Sequence, residues 1–186
     1  MKLENENFYI ITGGPGVGKT TLLNELQKEG HQIVPEVARE IIKQQMETNG
    51  TGLPWKDKEL YLKLMLEASL KSYIKIQNQN SESLSFFDRG IPDSVCYSKI
   101  IEKEISFEIN SIAQSYRYNK NVFILPPWQE IYQTDSERKQ TWQEAKMTYN
   151  VMKETYLSYN YQIIDVPKDS IENRKRFVLD FIRKTK

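Results

Sequence analysis

Residues 11–23 read ITGGPGVGKTTLL, and this stretch decides the fold. Gly13, Gly18, Lys19 and Thr20 fall at the spacing G-x-x-x-x-G-K-[ST]. Glycines in such a loop let successive backbone N–H groups turn toward a chain of phosphates. The apolar run FYIIT (8–12) precedes the loop, and TTLLNELQKEG (20–30) leaves it with helical spacing. The helix then presents its positive end to the same anion. The cradle is expected to run from Gly13 through Gly14, Pro15, Gly16, Val17 and Gly18 to Lys19, Thr20 and Thr21. Lys19 is placed to reach the β- and γ-phosphates of a nucleoside triphosphate, and the Thr20 hydroxyl to ligate Mg²⁺. The motif leaves ATP and GTP both open. It also leaves open whether the terminal phosphate passes to water or to a small molecule.

Working outward, strand-like and helix-like segments alternate. The expected strands are 8–12, 31–35, 84–88, 121–125 and 161–166, and the expected helices are 19–29, 36–48, 57–78, 92–117, 136–158 and 170–184. Strand–helix alternation implies right-handed crossovers and a parallel sheet covered on both faces. The strand runs are apolar nearly throughout, as doubly covered strands require. Ligands on such sheets lie beyond the carboxyl ends of the strands. The residues that follow each strand therefore carry the chemistry: the loop from Gly13 to Thr20, Glu36, Asp88 with Arg89, Pro126 to Trp128, and Pro167 with Lys168.

The chain has 186 residues, 39% apolar and 27% charged, with a net charge of +1. That is the size and composition of one globular domain, here expected over 1–186. The near-neutral balance argues against nucleic acid or an anionic membrane as a partner. The single cysteine, Cys96, excludes an intramolecular disulfide framework and fits a reducing cytoplasm, the expected location. MKLENEN at the N-terminus has no apolar secretory core, and no run approaches the ~18 apolar residues of a spanning helix.

Three stretches bear on the acceptor. In SFFDRGIPD (85–93), Asp88 ends a strand, where a Mg²⁺-associated carboxylate is expected. Arg89 follows where a motor ATPase would more typically carry a glutamate to polarise water. A planar fork of donors suits a polar or anionic group that must be held still. Asp93 reads equally as an acceptor contact or as a helix-start acid. In VPEVARE (34–40), Pro35 stops the strand and sets Glu36 at the same rim. Glu36 can take a proton from an acceptor hydroxyl, or it can merely favour the helix start. Arg39, one turn on, contacts the acceptor or pairs with Glu36 or Glu40 at the surface. The third stretch is PPWQEIYQTDSERKQTWQEAKMTYNVMKETY (126–156). Asp135 or Ser136 is expected to cap a long helix whose first turn holds Arg138 and Lys139. Cations there oppose the helix dipole, so a lid laid over the triphosphate accounts for them better than helix stability does.

These stretches together resemble the P-loop kinase superfamily that includes thymidylate and deoxynucleoside kinases. Within it, the chain more closely resembles the bacterial AAA-domain ATPase/kinase-like family that includes the ribosylnicotinamide kinase domain of a NAD-biosynthesis regulator. The matching segments are GGPGVGKTTLL, VPEVAREII, FFDRGIPDSVCY, VFILPPWQEIYQTDSERKQTWQEA and YQIIDVPKDSIENR, in family order along nearly the whole chain. The resemblance implies a three-layer P-loop α/β fold with a five-stranded parallel sheet in the order 2-3-1-4-5. It also implies a short helical lid at about 127–145. It assigns Glu36 as base or acceptor-contacting acid, Asp88–Arg89 as the Asp-Arg motif and Arg138 as the lid arginine. Val166 to Asp169, with Pro167 and Lys168, would line the nucleotide base. Neither an adenylyltransferase domain nor the helical domain of a ring-forming motor is expected.

The functional expectation is ATP- and Mg²⁺-dependent phosphoryl transfer to a nucleoside, nucleotide or ribosyl compound. The proposed catalytic set is Lys19, Glu36, Asp88, Arg89 and Arg138. Thr20 and Asp88 would hold the metal, and Glu36, Arg39, Arg89 and Asp93 the acceptor. Either Glu36 or Asp88 could be the base. The alternative is a regulatory ATPase or GTPase switch with slow hydrolysis and a protein partner. His31, Cys96, Trp55, Trp128 and the stripe Tyr149, Met152, Tyr156 and Tyr159 are expected to be structural, with both tryptophans in the core.

Overall fold

The computed structural model describes residues 3–79, 83–131 and 141–185. Its centre is β2 (Phe8–Gly13), the strand that feeds the glycine-rich loop. Around it a parallel sheet is laid in the order β3 (Gln32–Val34), β4 (Ser85–Asp88), β2, β6 (Asn121–Leu125), β7 (Gln162–Asp165). In chain order of these five strands that is 2-3-1-4-5, as the resemblance implies. Ile10 is in register with Phe87 on one side and Val122 on the other.

Period-2 alternation along β2 sends Phe8 and Ile10 to one face and Tyr9 and Ile11 to the other. All four are buried, because helices cover both faces. On the Tyr9/Ile11 face lie α1 (Lys19–Lys28) and α7 (Ile171–Thr185), which contribute Leu22, Leu26, Val178 and Ile182. On the Phe8/Ile10 face lie α3 (Lys58–Gln77), α4 (Pro92–Ile100), α5 (Phe107–Ser115) and α6 (Trp142–Ser158). Their packing includes Leu62, Leu66, Val95, Met152 and Tyr156. The remaining helix, α2 (Val37–Glu47), packs Ala38 and Ile41 against Tyr61 and Met65 of α3.

Four local departures from expectation have physical causes. The helix expected over 92–117 is two helices. Glu102 adopts a left-handed φ of 57°, and the Ser106 side chain caps a new start by accepting from the Ile109 N–H. The helix expected from 136 begins at Trp142, because Thr141 caps it in a reciprocal box with Glu144. Residues 132–140, including Asp135, Ser136, Arg138 and Lys139, lie outside the described residues. Two-residue strands β1 (Leu3–Glu4) and β5 (Tyr116–Arg117) pair in a small parallel sheet too short for any periodicity. Finally, Trp55 is not core: it is 62% exposed. Among the described residues, no helix is long and apolar enough to cross a membrane.

Candidate active site

The carboxyl ends of β2, β3 and β4 bring the glycine-rich loop and the two charged stretches to one rim. The loop leaves β2 at Gly13, whose φ of 145° suits glycine and whose absent Cβ would lie 2.7 Å from the Leu125 carbonyl oxygen. Gly18, at φ 84°, is the left-handed residue that opens α1. Lys19 begins the helix but folds back, its Nζ donating to the carbonyls of Gly13 and Gly14 at 3.1 Å each. Burial lowers this ammonium to about 8, with Arg89 assisting and the Asp88, Glu36 and Asp93 carboxylates opposing. An anion in the loop would raise it again and favour the charged form further.

Asp88 ends β4 nearly buried, and its Oδ1 has no hydrogen-bond partner. Burial pushes its carboxyl up, with Lys19 working the other way. The buried Asp88 oxygen without a donor, at the end of β4, and the exposed Thr20 hydroxyl, at the start of α1, are hard-oxygen groups of the kind that Mg²⁺ takes. Mg²⁺ commonly takes one or two protein oxygens and completes its shell with phosphates and water.

Arg89 follows in a left-handed conformation, φ 72°, unusual for a residue with a side chain. Its Nε donates to Glu36 Oε1 at 2.7 Å and its Nη1 to Asp93 Oδ1 at 3.3 Å. The three surrounding carboxylates, Glu36 foremost, outweigh burial and keep the guanidinium charged. Glu36 occupies the cap position of α2 yet makes no cap hydrogen bond. Its side chain is turned to Arg89 instead, so a helix-start role does not account for it. Burial alone would raise the Glu36 carboxyl, but Arg89, Lys19 and Arg39 together hold it at about 2. Arg39 is mostly exposed, 3.9 Å from Glu36 Oε2.

Asp93 is more deeply tied into the fold than expected. It is buried; Oδ1 accepts from the Thr12 hydroxyl at 2.7 Å as well as from Arg89. Oδ2 accepts from the Gly90 N–H at 2.8 Å and from the Tyr156 hydroxyl. Both oxygens are thus engaged within the protein, and Asp93 reaches the rim through Arg89. Beside this network a cavity opens between the end of β3, α2, α3 and the end of β4. Its lining includes Glu36, Arg89, Met65, Ser69, Phe87 and Ser94. The Ser94 hydroxyl is buried without a partner.

Pro167 and Lys168 are exposed on the turn between β7 and α7. Cys96 is buried, which pushes its thiol well up, so it is no nucleophile. His31 sits edge-on to Phe86. Three contributors escaped the sequence reading. Thr12 and Tyr156 anchor Asp93, and Arg174 of α7 reaches across to the Val17 carbonyl at 3.0 Å. Trp128, half-buried rather than core, lies over that arginine at 5.9 Å.

The AAA domain family model matches residues 8–174, from the first residue of β2 to Arg174. The chain belongs to this AAA domain family. No match was found among curated protein sequences. Among solved structures, the chain is similar to the NadR protein in complex with NR, with a TM-score of 0.71 at 17% identity. That alignment covers 95% of this chain but 50% of the other, so the chain spans half the length of NadR. It is similar also to deoxyadenosine kinase from M. mycoides, with a TM-score of 0.66 at 18% identity, covering 95% of this chain and 99% of that one. For thymidylate kinase from Candida albicans the TM-score is 0.63 at 14% identity, covering 96% and 91%. At these identities the likeness establishes the P-loop kinase fold.

Proposed function

We propose that the protein transfers the γ-phosphoryl group of ATP, with Mg²⁺, to a hydroxyl of a small molecule. A nucleoside, nucleotide or ribosyl compound is the class that the fold neighbours favour. One observation carries the reading: a narrow, charged and partly apolar pocket, lined by Glu36 and Arg89, stands at the same rim as the phosphate loop, and an acceptor would lie at its mouth.

In this reading Lys19 swings from the Gly13 and Gly14 carbonyls onto the β/γ-phosphates. Thr20 and Asp88 would hold Mg²⁺, which supplies charge neutralisation on the phosphates. Glu36 accepts a hydrogen bond from the acceptor hydroxyl. Held at about 2, it is a weak base that orients the nucleophile and takes its proton late, at the low end of the general-base scale. A loose transition state asks little more, because the hydroxyl proton becomes acidic only late. Arg89 fixes Glu36, and Asp93 with Thr12 and Tyr156 fixes Arg89. Arg138 is assigned, on sequence alone, to a lid within about 127–145 that brings a cation over the transferring group. Pro167 and Lys168 are assigned to the nucleotide-base side. We read residues 1–186 as one domain acting in the cytoplasm.

The test is ADP release from ATP and Mg²⁺ across a panel of nucleosides, nucleoside monophosphates and ribosyl compounds. Stimulation by at least one acceptor supports the reading. An equal basal rate with every member favours the hydrolytic switch.

A further inference from the structure

Arg174 is a cation in the wrong place for helix stability. It lies in the first turn of α7, where a positive side chain opposes the helix dipole. It is also buried, at 5% exposure, and its Nε has no partner. Neither the helix nor the core gains from a guanidinium there. What the guanidinium does touch is the phosphate loop. Nη2 donates to the Val17 carbonyl at 3.0 Å. Nη1 packs so close to Gly18 that a Cβ on that residue would lie 2.8 Å away. The Trp128 ring backs the group from the turn that follows β6.

The consequence follows from peptide geometry. In a planar trans peptide the C=O and the next N–H point in opposite directions. The Val17 C=O belongs to the same plane as the Gly18 N–H. Pinning that carbonyl outward, toward α7, aims the Gly18 N–H inward, where a phosphate is cradled. The left-handed φ of Gly18 would otherwise leave this plane free to rotate, because glycine resists few conformations.

We propose that Arg174 is a positioning residue for the phosphate loop: it holds the Val17 carbonyl outward and so presets the Gly18 amide for the bound phosphates. The proposal rests on the nucleotide-binding reading of the loop but not on the identity of the acceptor. It makes the C-terminal helix a working part of the phosphate site.

The experiment is calorimetric binding of ADP–Mg²⁺ to the full chain. Arg174→Ala should weaken binding roughly tenfold or more, the scale of losing one hydrogen bond to a charged group. Ile182→Ala, elsewhere on α7 and buried in the same face, is the control for loosened helix packing. At a comparable loss of melting temperature it should leave ADP affinity within about twofold of wild type, since it touches no loop atom. Arg174→Lys keeps the charge with a shorter reach and should bind ADP between wild type and Arg174→Ala; it carries the test if the alanine variant does not fold. Millimolar guanidinium should restore part of the lost affinity in Arg174→Ala and none in Ile182→Ala. ADP binding by Arg174→Ala or Arg174→Lys at wild-type strength would overturn the proposal. So would an equal loss in Ile182→Ala. A wild-type chain that fails to bind ADP–Mg²⁺ would instead remove the nucleotide reading beneath it.

Discussion

The phosphate loop takes nearly everything it needs from one unbroken stretch, 13–21, whereas the rim opposite draws Thr12, Glu36, Arg89, Asp93 and Tyr156 from separate elements. The loop's donors are backbone amides, so its chemistry is written in glycine spacing. The rim's chemistry is written in carboxylate–guanidinium pairs that only the closed fold brings together. The two regions should therefore fail differently. Truncating the loop's Lys19 side chain removes a local phosphate contact and leaves the fold standing. A substitution in the rim leaves a buried charge without its partner, and stability goes with activity.

The largest effect belongs to the loop. Lys19→Ala should lower turnover by on the order of 10³-fold or more, because one preorganised charge on the transferring phosphoryl group is lost. Its melting temperature should stay close to wild type, and ATP–Mg²⁺ binding measured by calorimetry should weaken. In the rim, Arg89→Ala should cost about 3 kcal/mol in urea unfolding, the low end for a broken buried pair, since both partners keep some exposure. Turnover should fall with it. If Arg89→Ala were as stable as wild type, the contrast between the two regions would collapse.

Glu36→Gln is gentler, since the amide keeps the shape and can still meet one guanidinium N–H through its carbonyl. Acceptor-dependent turnover should drop by roughly 10²-fold, while ATP affinity changes little. The same residue should set an acid limb of stability. Its carboxyl lies at about 2 in the folded chain against 4.5 in the reference state. A depressed carboxyl contributes stability above about 4.5, and that contribution is lost as pH falls toward 2. Urea unfolding from pH 7 to pH 2 should show the limb in wild type and a shallower one in Glu36→Gln. The smallest effect is Tyr156→Phe, which removes a buried hydroxyl donor to Asp93; about 1–2 kcal/mol of stability is expected.

The same contrast explains what could be read before the fold was known. The strand positions and the glycine loop follow from runs and spacings within the chain, whereas the strand order is legible only through the family resemblance. The rim residues were nameable one at a time because each follows a strand, yet nothing in their spacing says that Glu36 meets Arg89 or that Asp93 is tied up inside. The helical stripe makes Tyr156 a core residue. That holds for its ring, which is buried, while the hydroxyl is spent on Asp93. Two signals were present and unused. Thr141 and Glu144 spell a capping box, which places the helix start later than Asp135 or Ser136. Arg174 is a cation near a helix start, where it costs helix stability and so signals another role. Trp55 misled because aromatic residues beside a long helix are more often inside than out.

The central claim is that the rim receives a phosphoryl group from the loop. It is tested most directly by following the label of γ-labelled ATP in a single turnover, with Mg²⁺ and the acceptor that best stimulates ADP release. The wild-type protein should place the label on the organic acceptor, and Glu36→Gln should form that product roughly 10²-fold more slowly without diverting it to inorganic phosphate. Label appearing as inorganic phosphate, at a rate indifferent to the acceptor and to Glu36→Gln, would contradict the claim.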